Sequence, residues 1–217
     1  MNYDNLPHVF DLFCGTDPLR ESLLEPFFDQ GFVCATNAYV AIRLNHKLVQ
    51  NATYRNKPDV TPNMAEVFKT KVEETTHSVT YDAAHELIKK LPHDLLYDDC
   101  QQCKGKGEIK CDCCNQYSHC AECDGSGDGT DVIGMEINHY QHLIELIGVQ
   151  LDPNLLKKIV DSTWMLGYES FEIASIKSTK GIYFKIGGDV EGLILANIND
   201  QTKIHKLDAN PLISVSS

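Results

Sequence analysis

At 217 residues the chain has room for one large domain or two small ones, and an apolar fraction of 42% supports a sizeable core. No run approaches the roughly 18 uninterrupted apolar residues of a membrane-spanning helix. A formal charge of −12 opposes unaided binding to phosphate backbones, leaving nucleic acid only a local basic surface to meet.

The start, Met1-Asn2-Tyr3-Asp4-Asn5, lacks the basic residues and apolar run of a secretory signal, which predicts a cytoplasmic, reducing setting. Residues 8–13 read as an early strand. Thr16-Asp17-Pro18 then reads as a helix start, since Asp17 can cap free N–H groups and Pro18 suits the first helical position. Leu19, Leu23, Leu24, Phe27 and Phe28 fall on one helical face, and Gly31 closes the run. Two apolar runs across residues 32–44 meet at Thr36-Asn37-Ala38 and predict a hairpin. Cys14 and Cys34 read as small buried hydrophobes. Residues 45–75 are polar, with Pro58 and Pro62, and predict a long surface connection containing a short helix near residues 64–71. Residues 77–81 read as a strand. Asp82 then caps a helix through Leu91, with Ala84, Leu87, Ile88 and Leu91 inward, and Pro92 ends it.

Seven of the nine cysteines follow between residues 100 and 127. Two Cys-x-x-Cys pairs, Cys100/Cys103 and Cys120/Cys123, are separated by sixteen residues, inside the template for a four-thiolate zinc site. Two such knuckles can close a tetrahedron around one ion with metal–sulfur distances of about 2.3 Å. Gly105, Gly107, Gly125 and Gly127 come just after the knuckles, where positive φ or close backbone approach excludes a Cβ. Four thiolates leave no open coordination position, so the expected ion is structural rather than catalytic. A reducing setting favours metal over disulfides at these positions. Between the knuckles, Cys111 and Cys114 form a third Cys-x-x-Cys, with Cys113 and His119 nearby. A second ion near Cys111, Cys114 and His119 is conceivable, but adjacent Cys113 and Cys114 would strain the backbone in turning towards it. Spare thiols on a hairpin are the preferred reading. Lys104, Lys106 and Lys110 face six acidic residues between Asp99 and Thr130, so the finger is not a basic nucleic-acid reader. Asp98-Asp99 reads as a solvated turn rather than an acid pair.

The unit C-x-x-C-x-G-x-G, repeated at residues 100–107 and 120–127, resembles the cysteine-rich domain of DnaJ-type chaperones. That family usually carries four units, paired first with fourth and second with third around two zinc ions; two complete units stand here. The resemblance is confined to residues 100–127. It implies one structural zinc held by Cys100, Cys103, Cys120 and Cys123, with a short β-hairpin through residues 108–110 joining the halves. Pro92-His93-Asp94 differs in order from the His-Pro-Asp of J-domains, and no ATPase-stimulating role is implied.

Beyond the finger, residues 125–131 read as a flexible exit and 132–137 as a strand. Asn138 caps an expected helix over 139–147, with Tyr140, Leu143, Ile144 and Ile147 on one side and Gly148 past its end. His139 and His142 read as part of a polar helix face rather than a metal pair. Asp152-Pro153 starts a further helix, buried through Leu155, Leu156 and Ile159. From Trp164 the chain is β-rich, with strands at 171–176, 182–186 and 193–198 and turns at Gly181 and Gly187-Gly188. The tail from Leu207 is weakly specified.

Strand, cap and helix occur twice with an offset of fifty-six residues: Val79, Tyr81, Asp82, Leu87, Ile88 and Leu91 correspond to Met135, Ile137, Asn138, Leu143, Ile144 and Ile147. The expected organisation is two similar α/β units, residues 1–98 and 131–217, with a finger at 99–130 inserted. Repeated strand–helix–meander units resemble those of DNA sliding clamps. Ala35-Thr36-Asn37-Ala38 is similar to the Ala-Thr-Asp-Gly hairpin of bacterial clamps, with Asn37 for Asp and Ala38 for Gly. The helices carry Lys89, Lys90, Lys157 and Lys158 but also Glu86, Glu145 and Asp161, too little positive charge to imply encirclement of DNA.

No G-x-x-x-x-G-K-S/T phosphate loop and no G-x-S-x-G elbow occurs. The expected fold is α+β, with antiparallel sheets and amphipathic helices in a clamp-like body and a zinc-stapled hairpin finger. The expected function is a non-catalytic zinc-binding interaction protein whose partner is another protein of DNA replication or mobile-element machinery, with a homo-oligomer allowed. A chaperone-like binder of unfolded chains is the alternative that the finger carries, and a nucleic-acid enzyme with dispersed catalytic residues is the third.

Overall fold

A computed structural model describes residues 3–49, 54, 61–70, 72–111, 113–137, 142–177, 181–195 and 205–215. The chain divides into two compact units, Met1–Lys90 with His139–Ser217, and Leu91–Asn138.

The first unit opens on a helix, not the expected strand: α1, Leu6–Phe13, buries Leu6, Val9, Phe10 and Phe13. Short apolar runs fit either period, and packing of this stripe on β2 and β3 decides for the helix. Asp17 caps as expected, its Oδ1 accepting from the Leu19 N–H at 2.9 Å. The helix it starts is only a 3-10 segment, Pro18–Leu23, broken at Arg20. Phe27 and Phe28, expected on that helix, lie instead on β1 (Phe27–Asp29), which pairs with β2 (Phe32–Thr36). β3 (Val40–Asn45) follows β2 through the expected hairpin. Ala38 takes a φ of 78° there, a left-handed conformation that a Cβ disfavours. Neighbouring side chains hold it. Asn37 Oδ1 accepts from the N–H groups of Tyr39 and Val40 at 3.0 Å. Thr36 Oγ1 accepts from the Ala38 N–H and donates to the Val40 carbonyl.

The polar connection contributes α2 (Met64–Val67), capped by Asn63. β4 (His77–Thr80) then runs into α3 (Tyr81–Lys89), which buries Ala84, Leu87 and Ile88 as expected. Its N-cap is Thr80, and Asp82 lies in the first turn.

The second unit holds β5 (His93–Asp99), β6 (Glu108–Lys110), β7 (Tyr117–His119) and β8 (Asp128–Ile137). β5 pairs antiparallel with β8, and β6 with β7, as two separate two-stranded sheets. The expected flexible exit is therefore strand from Asp128 onward.

Returning to the first unit, residues expected to be helical form β9 (His142–Leu146), joined to β10 (Val149–Leu151). Ile147 and Gly148, at φ 47° and 74°, make the two-residue turn that such hairpins favour. Leu143 and Ile144 are thus strand residues, and the strand–cap–helix echo fails in its second copy. Asn138, His139 and Tyr140 lie outside the described residues. α4 (Pro153–Met165) is capped by Asp152 and buries Leu156 and Ile159, while Leu155 is half-buried. β11 (Ser170–Ser175), β12 (Gly181–Ile186), β13 (Val190–Leu195), β14 (His205–Asp208) and β15 (Ile213–Val215) complete the chain.

One sheet of eight strands, in the order β1-β2-β3-β13-β12-β11-β4-β15, is antiparallel throughout. A smaller sheet, β10-β9-β14, includes a parallel pair, β9 with β14. Along β12, Ile182, Phe184 and Ile186 are buried while Tyr183 and Lys185 are half-buried, the alternation of a sheet covered mainly on one face. Phe13 of α1 stacks on Phe184, with ring centroids 6.1 Å apart, and α3 packs on α4. No helix among the described residues is long and apolar enough to cross a membrane.

Ala38→Gly removes the Cβ from a left-handed position. It should raise body stability by about 1 kcal/mol after the entropy cost of glycine, read as a higher denaturant midpoint with unchanged slope.

Candidate metal centre

The two knuckles are near copies, offset by twenty residues. Lys104 and Asp124 have φ 53° and 50°, Gly105 and Gly125 75° and 80°, Gly107 and Gly127 69° and 88°. The copies clasp each other. The Cys100 N–H donates to the Gly127 carbonyl at 2.8 Å, and the Cys120 N–H to the Gly107 carbonyl at 2.9 Å. A Cβ on Gly107 would lie 2.3 Å from the Gly125 carbonyl oxygen, and one on Gly127 2.5 Å from that of Gly105. Only glycine permits this approach.

The clasp brings Cys100 Sγ to 3.8 Å from Cys120 Sγ, and Cys103 Sγ to 3.7 Å from Cys123 Sγ. All four sulfurs lie within 4.8 Å of one another. A tetrahedral ion with bonds of about 2.3 Å sets its sulfurs about 3.8 Å apart, so the donor set fits a single four-coordinate thiophilic ion. The N–H groups of Gly107 and Gly127 donate to Cys103 Sγ and Cys123 Sγ at 3.2 Å, stabilising thiolate charge. At Cys123, burial opposes ionisation, but the Gly127 N–H and the neighbouring thiols outweigh it and bring the thiol down to about 7. At Cys100, the Cys103 N–H favours ionisation, but burial and the thiols of Cys103 and Cys120 push the group up to about 11. An ion entering the site must displace any thiol protons there. Cys100, Cys103 and Cys120 are buried, with Ile109 packed against them.

Residues flanking the knuckles also correspond. A Cβ on Gly105 would meet Asp99 Oδ1 at 2.6 Å, and one on Gly125 would meet His119 Nδ1 at 2.5 Å. His119 is therefore committed beside Gly125. The second convergent group is Cys111, Cys113 and Cys114; His119, considered beside Cys111 and Cys114 from the sequence, is not part of it. Asp98 Oδ1 accepts from the Asp131 N–H at 3.1 Å, which makes it a backbone tie rather than a free turn carboxylate. His142 sits on β9 in register with His205, not on a helix.

Sequence reasoning found the strand at 132–137 but missed β5 and its pairing with β8. Leu95 pairs with Met135 and Tyr97 with Val132, so these four share one face. Ile133, between the register positions of Gly134 and Val132, is the extra residue of a bulge. All five apolar side chains are exposed, Ile133 and Met135 to 68%. A cleft of about 350 Å³ near the knuckles is lined by Tyr97, Asp98, Gln101, Glu122 and Asp128. Among the described residues, only the two cysteine groups bring three or more metal-ligating side chains together.

In the first unit, burial pushes the Cys14 and Cys34 thiols up to about 12, consistent with inert core residues. All nine cysteines are unbridged. The lysines of α3 and α4 are largely engaged. Lys89 pairs with Glu86 at 3.0 Å, Lys157 with Asp161, and Lys158 donates to the Leu12 carbonyl.

No family model and no curated protein matches the chain. Solved structures similar to it are DNA polymerase III beta subunits. That of Borrelia burgdorferi, in complex with a natural product, has a TM-score of 0.50 at 8% identity over 92% of this chain and 64% of its own. A putative beta subunit from Eubacterium rectale scores 0.46 at 9% identity, over 91% of this chain and 64% of its own. That of Thermotoga maritima scores 0.44 at 10% identity, over 92% and 65%. The likeness to the Borrelia subunit is one of fold, and this chain spans only 64% of that subunit's length. The clamp-like fold expected from the repeated units and the Ala35–Ala38 hairpin is supported at that level, although the second copy of the echo fails.

Cys103→Ser should release the bound ion, measured by elemental analysis, and disorder roughly residues 98–130 in amide exchange while first-unit amides stay protected. Loss of protection throughout the chain would contradict independent support of the two units.

Proposed function

We propose that the chain is a non-catalytic, zinc-binding interaction protein, with a clamp-like body and a thiolate-stapled finger that another protein docks on. Cys100, Cys103, Cys120 and Cys123 hold one zinc in a closed site, which leaves no vacancy for Lewis-acid chemistry. The thiolates need a reducing, cytoplasmic setting.

The observation that carries the interaction reading is the ribbon's exposed apolar face, Leu95, Tyr97, Val132 and Met135. Two-stranded ribbons gain little stability alone, and open edges with apolar faces favour addition of a partner strand. Asp94, Asp98, Asp131 and Glu136 border the apolar residues in sequence. The partner segment that suits this surface is extended and apolar with basic flanks, and a second copy of the same acidic ribbon suits it poorly. Engagement of Lys89, Lys157 and Lys158 within the body supports a protein partner over direct phosphate binding. The fold likeness to a DNA polymerase III beta subunit directs the search for that partner to replication or mobile-element machinery.

The same apolar face also favours a second reading, a chaperone-like binder of unfolded chains. A photocrosslinker at position 95 in cells separates the two. One discrete protein, whose affinity for the purified chain drops at least about tenfold (about 1.4 kcal/mol) with Met135→Asp, is the expected result. A spread of unrelated chains, with suppressed aggregation of a denatured test protein, would favour the chaperone reading. Crosslinks to nucleic acid, or none, would defeat both.

A further inference from the structure

The hairpin joining the two knuckles closes through Cys111, Cys113, Cys114 and Asn115. The Asn115 N–H donates to the Cys111 carbonyl at 2.9 Å, and the Cys111 N–H to that of Gln116 at 2.8 Å. Asn115 takes a left-handed φ of 59°. This turn gathers three sulfurs within 4.8 Å of one another, with Cys113 and Cys114 exposed and Cys111 half-buried.

The distances separate this group from the metal centre. Across the knuckles the sulfurs stand 3.8 and 3.7 Å apart, close to the ~3.8 Å edge of a thiolate tetrahedron. At the tip, Cys111 Sγ and Cys113 Sγ are 2.7 Å apart. That is too close for two thiolates on one ion and nearer to the ~2.05 Å of a sulfur–sulfur bond. We propose that Cys111 and Cys113 are a reversible dithiol–disulfide couple, exchanging electrons with an external disulfide while the four knuckle cysteines stay closed around their ion.

The neighbours divide the roles. The Cys113 thiol and the N–H groups of Cys113 and Cys114 favour the Cys111 thiolate and bring that group down to about 7. Cys113 is held protonated, first by its contact with Cys111 and then by Cys114. The Cys111 thiolate attacks one sulfur of the external disulfide; a mixed disulfide forms and the first thiolate leaves. Cys113 then gives its proton to solvent and attacks Cys111 Sγ, and the second thiolate leaves as the Cys111–Cys113 bond forms. Two protein thiols are oxidised and one external disulfide is reduced to two thiols, which take up the released protons.

The test uses the zinc-loaded full chain, equilibrated with graded mixtures of reduced and oxidised glutathione, trapped with a thiol alkylator and mapped by fragment mass spectrometry. Cys111 and Cys113 should pass together from two alkylated thiols to one bridge, reversibly on added reductant, with zinc content unchanged. Cys113→Ser, an exposed substitution that leaves the fold intact, should stop at a persistent glutathione adduct on Cys111. Free thiols at both positions across the whole range would overturn the proposal. So would a bridge to Cys114 or to a knuckle cysteine, or a second zinc equivalent that shields the tip from alkylation.

Discussion

Four sulfurs gathered within 4.8 Å of one another form the centre of the second unit. Its apolar core is almost nothing else: apart from Cys100, Cys103 and Cys120, the fully buried hydrophobic side chains there are Leu91 and Ile137. Two sheets of two strands each cannot bury enough surface to offset the entropy of ordering the chain. An ion held by the four thiolates would supply what packing does not. The left-handed residues, the crossed N–H···O=C bonds and the paired glycines all follow from the need to bring two distant knuckles face to face.

The first unit rests on different physics. Its large sheet packs against α1 at β2 and β3, α4 packs on α1, α3 and β9, and Phe13, Phe27, Phe171 and Phe184 are fully buried. Even its charged tie is packed. Arg43 pairs with Glu191 at 2.8 Å, and its guanidinium lies over the rings of Phe32 and Phe68 at 4.5 and 4.2 Å. Such planar stacking suits arginine and not lysine. The first unit thus has a packed core of its own, apart from the cysteine cluster of the second.

Thiols take three roles here, and environment assigns each one. Cys14 and Cys34 are buried among apolar side chains and behave as small hydrophobes. The knuckle thiols sit at tetrahedral spacing, with N–H groups aimed at their sulfurs. At the tip, Cys111 and Cys113 crowd closer than a shared ion requires, with Cys113 exposed and Cys111 half-buried, which suits exchange chemistry. The exposed ribbon lies in the same unit, so the surface proposed for docking and the thiols proposed for exchange both belong to the part of the chain that carries the four-cysteine cluster.

The amino-acid sequence by itself determined the cluster of Cys100, Cys103, Cys120 and Cys123, which could hold an ion. Two Cys-x-x-Cys turns and the glycines after them are local requirements, written in residues a few positions apart. It also determined the Thr36–Ala38 hairpin, the caps at Asp17 and Asp152, and the buried face of α3, each set by neighbours along the chain. Tertiary structure alone decided the rest. Leu143 and Ile144 satisfy a helical stripe as well as a buried strand, and pairing with β10 and distant β14 chose the strand. Residues 8–13 were resolved in the other direction by the sheet they cover. Leu95, Tyr97 and Met135 read as ordinary apolar residues until the fold left them on a ribbon that nothing in its own unit buries. His119 sits near Cys111 in sequence, but the clasp between the knuckles places it beside Gly125. Short apolar runs and isolated ligand-type residues carry no local instruction, and only contacts between distant segments can give them one.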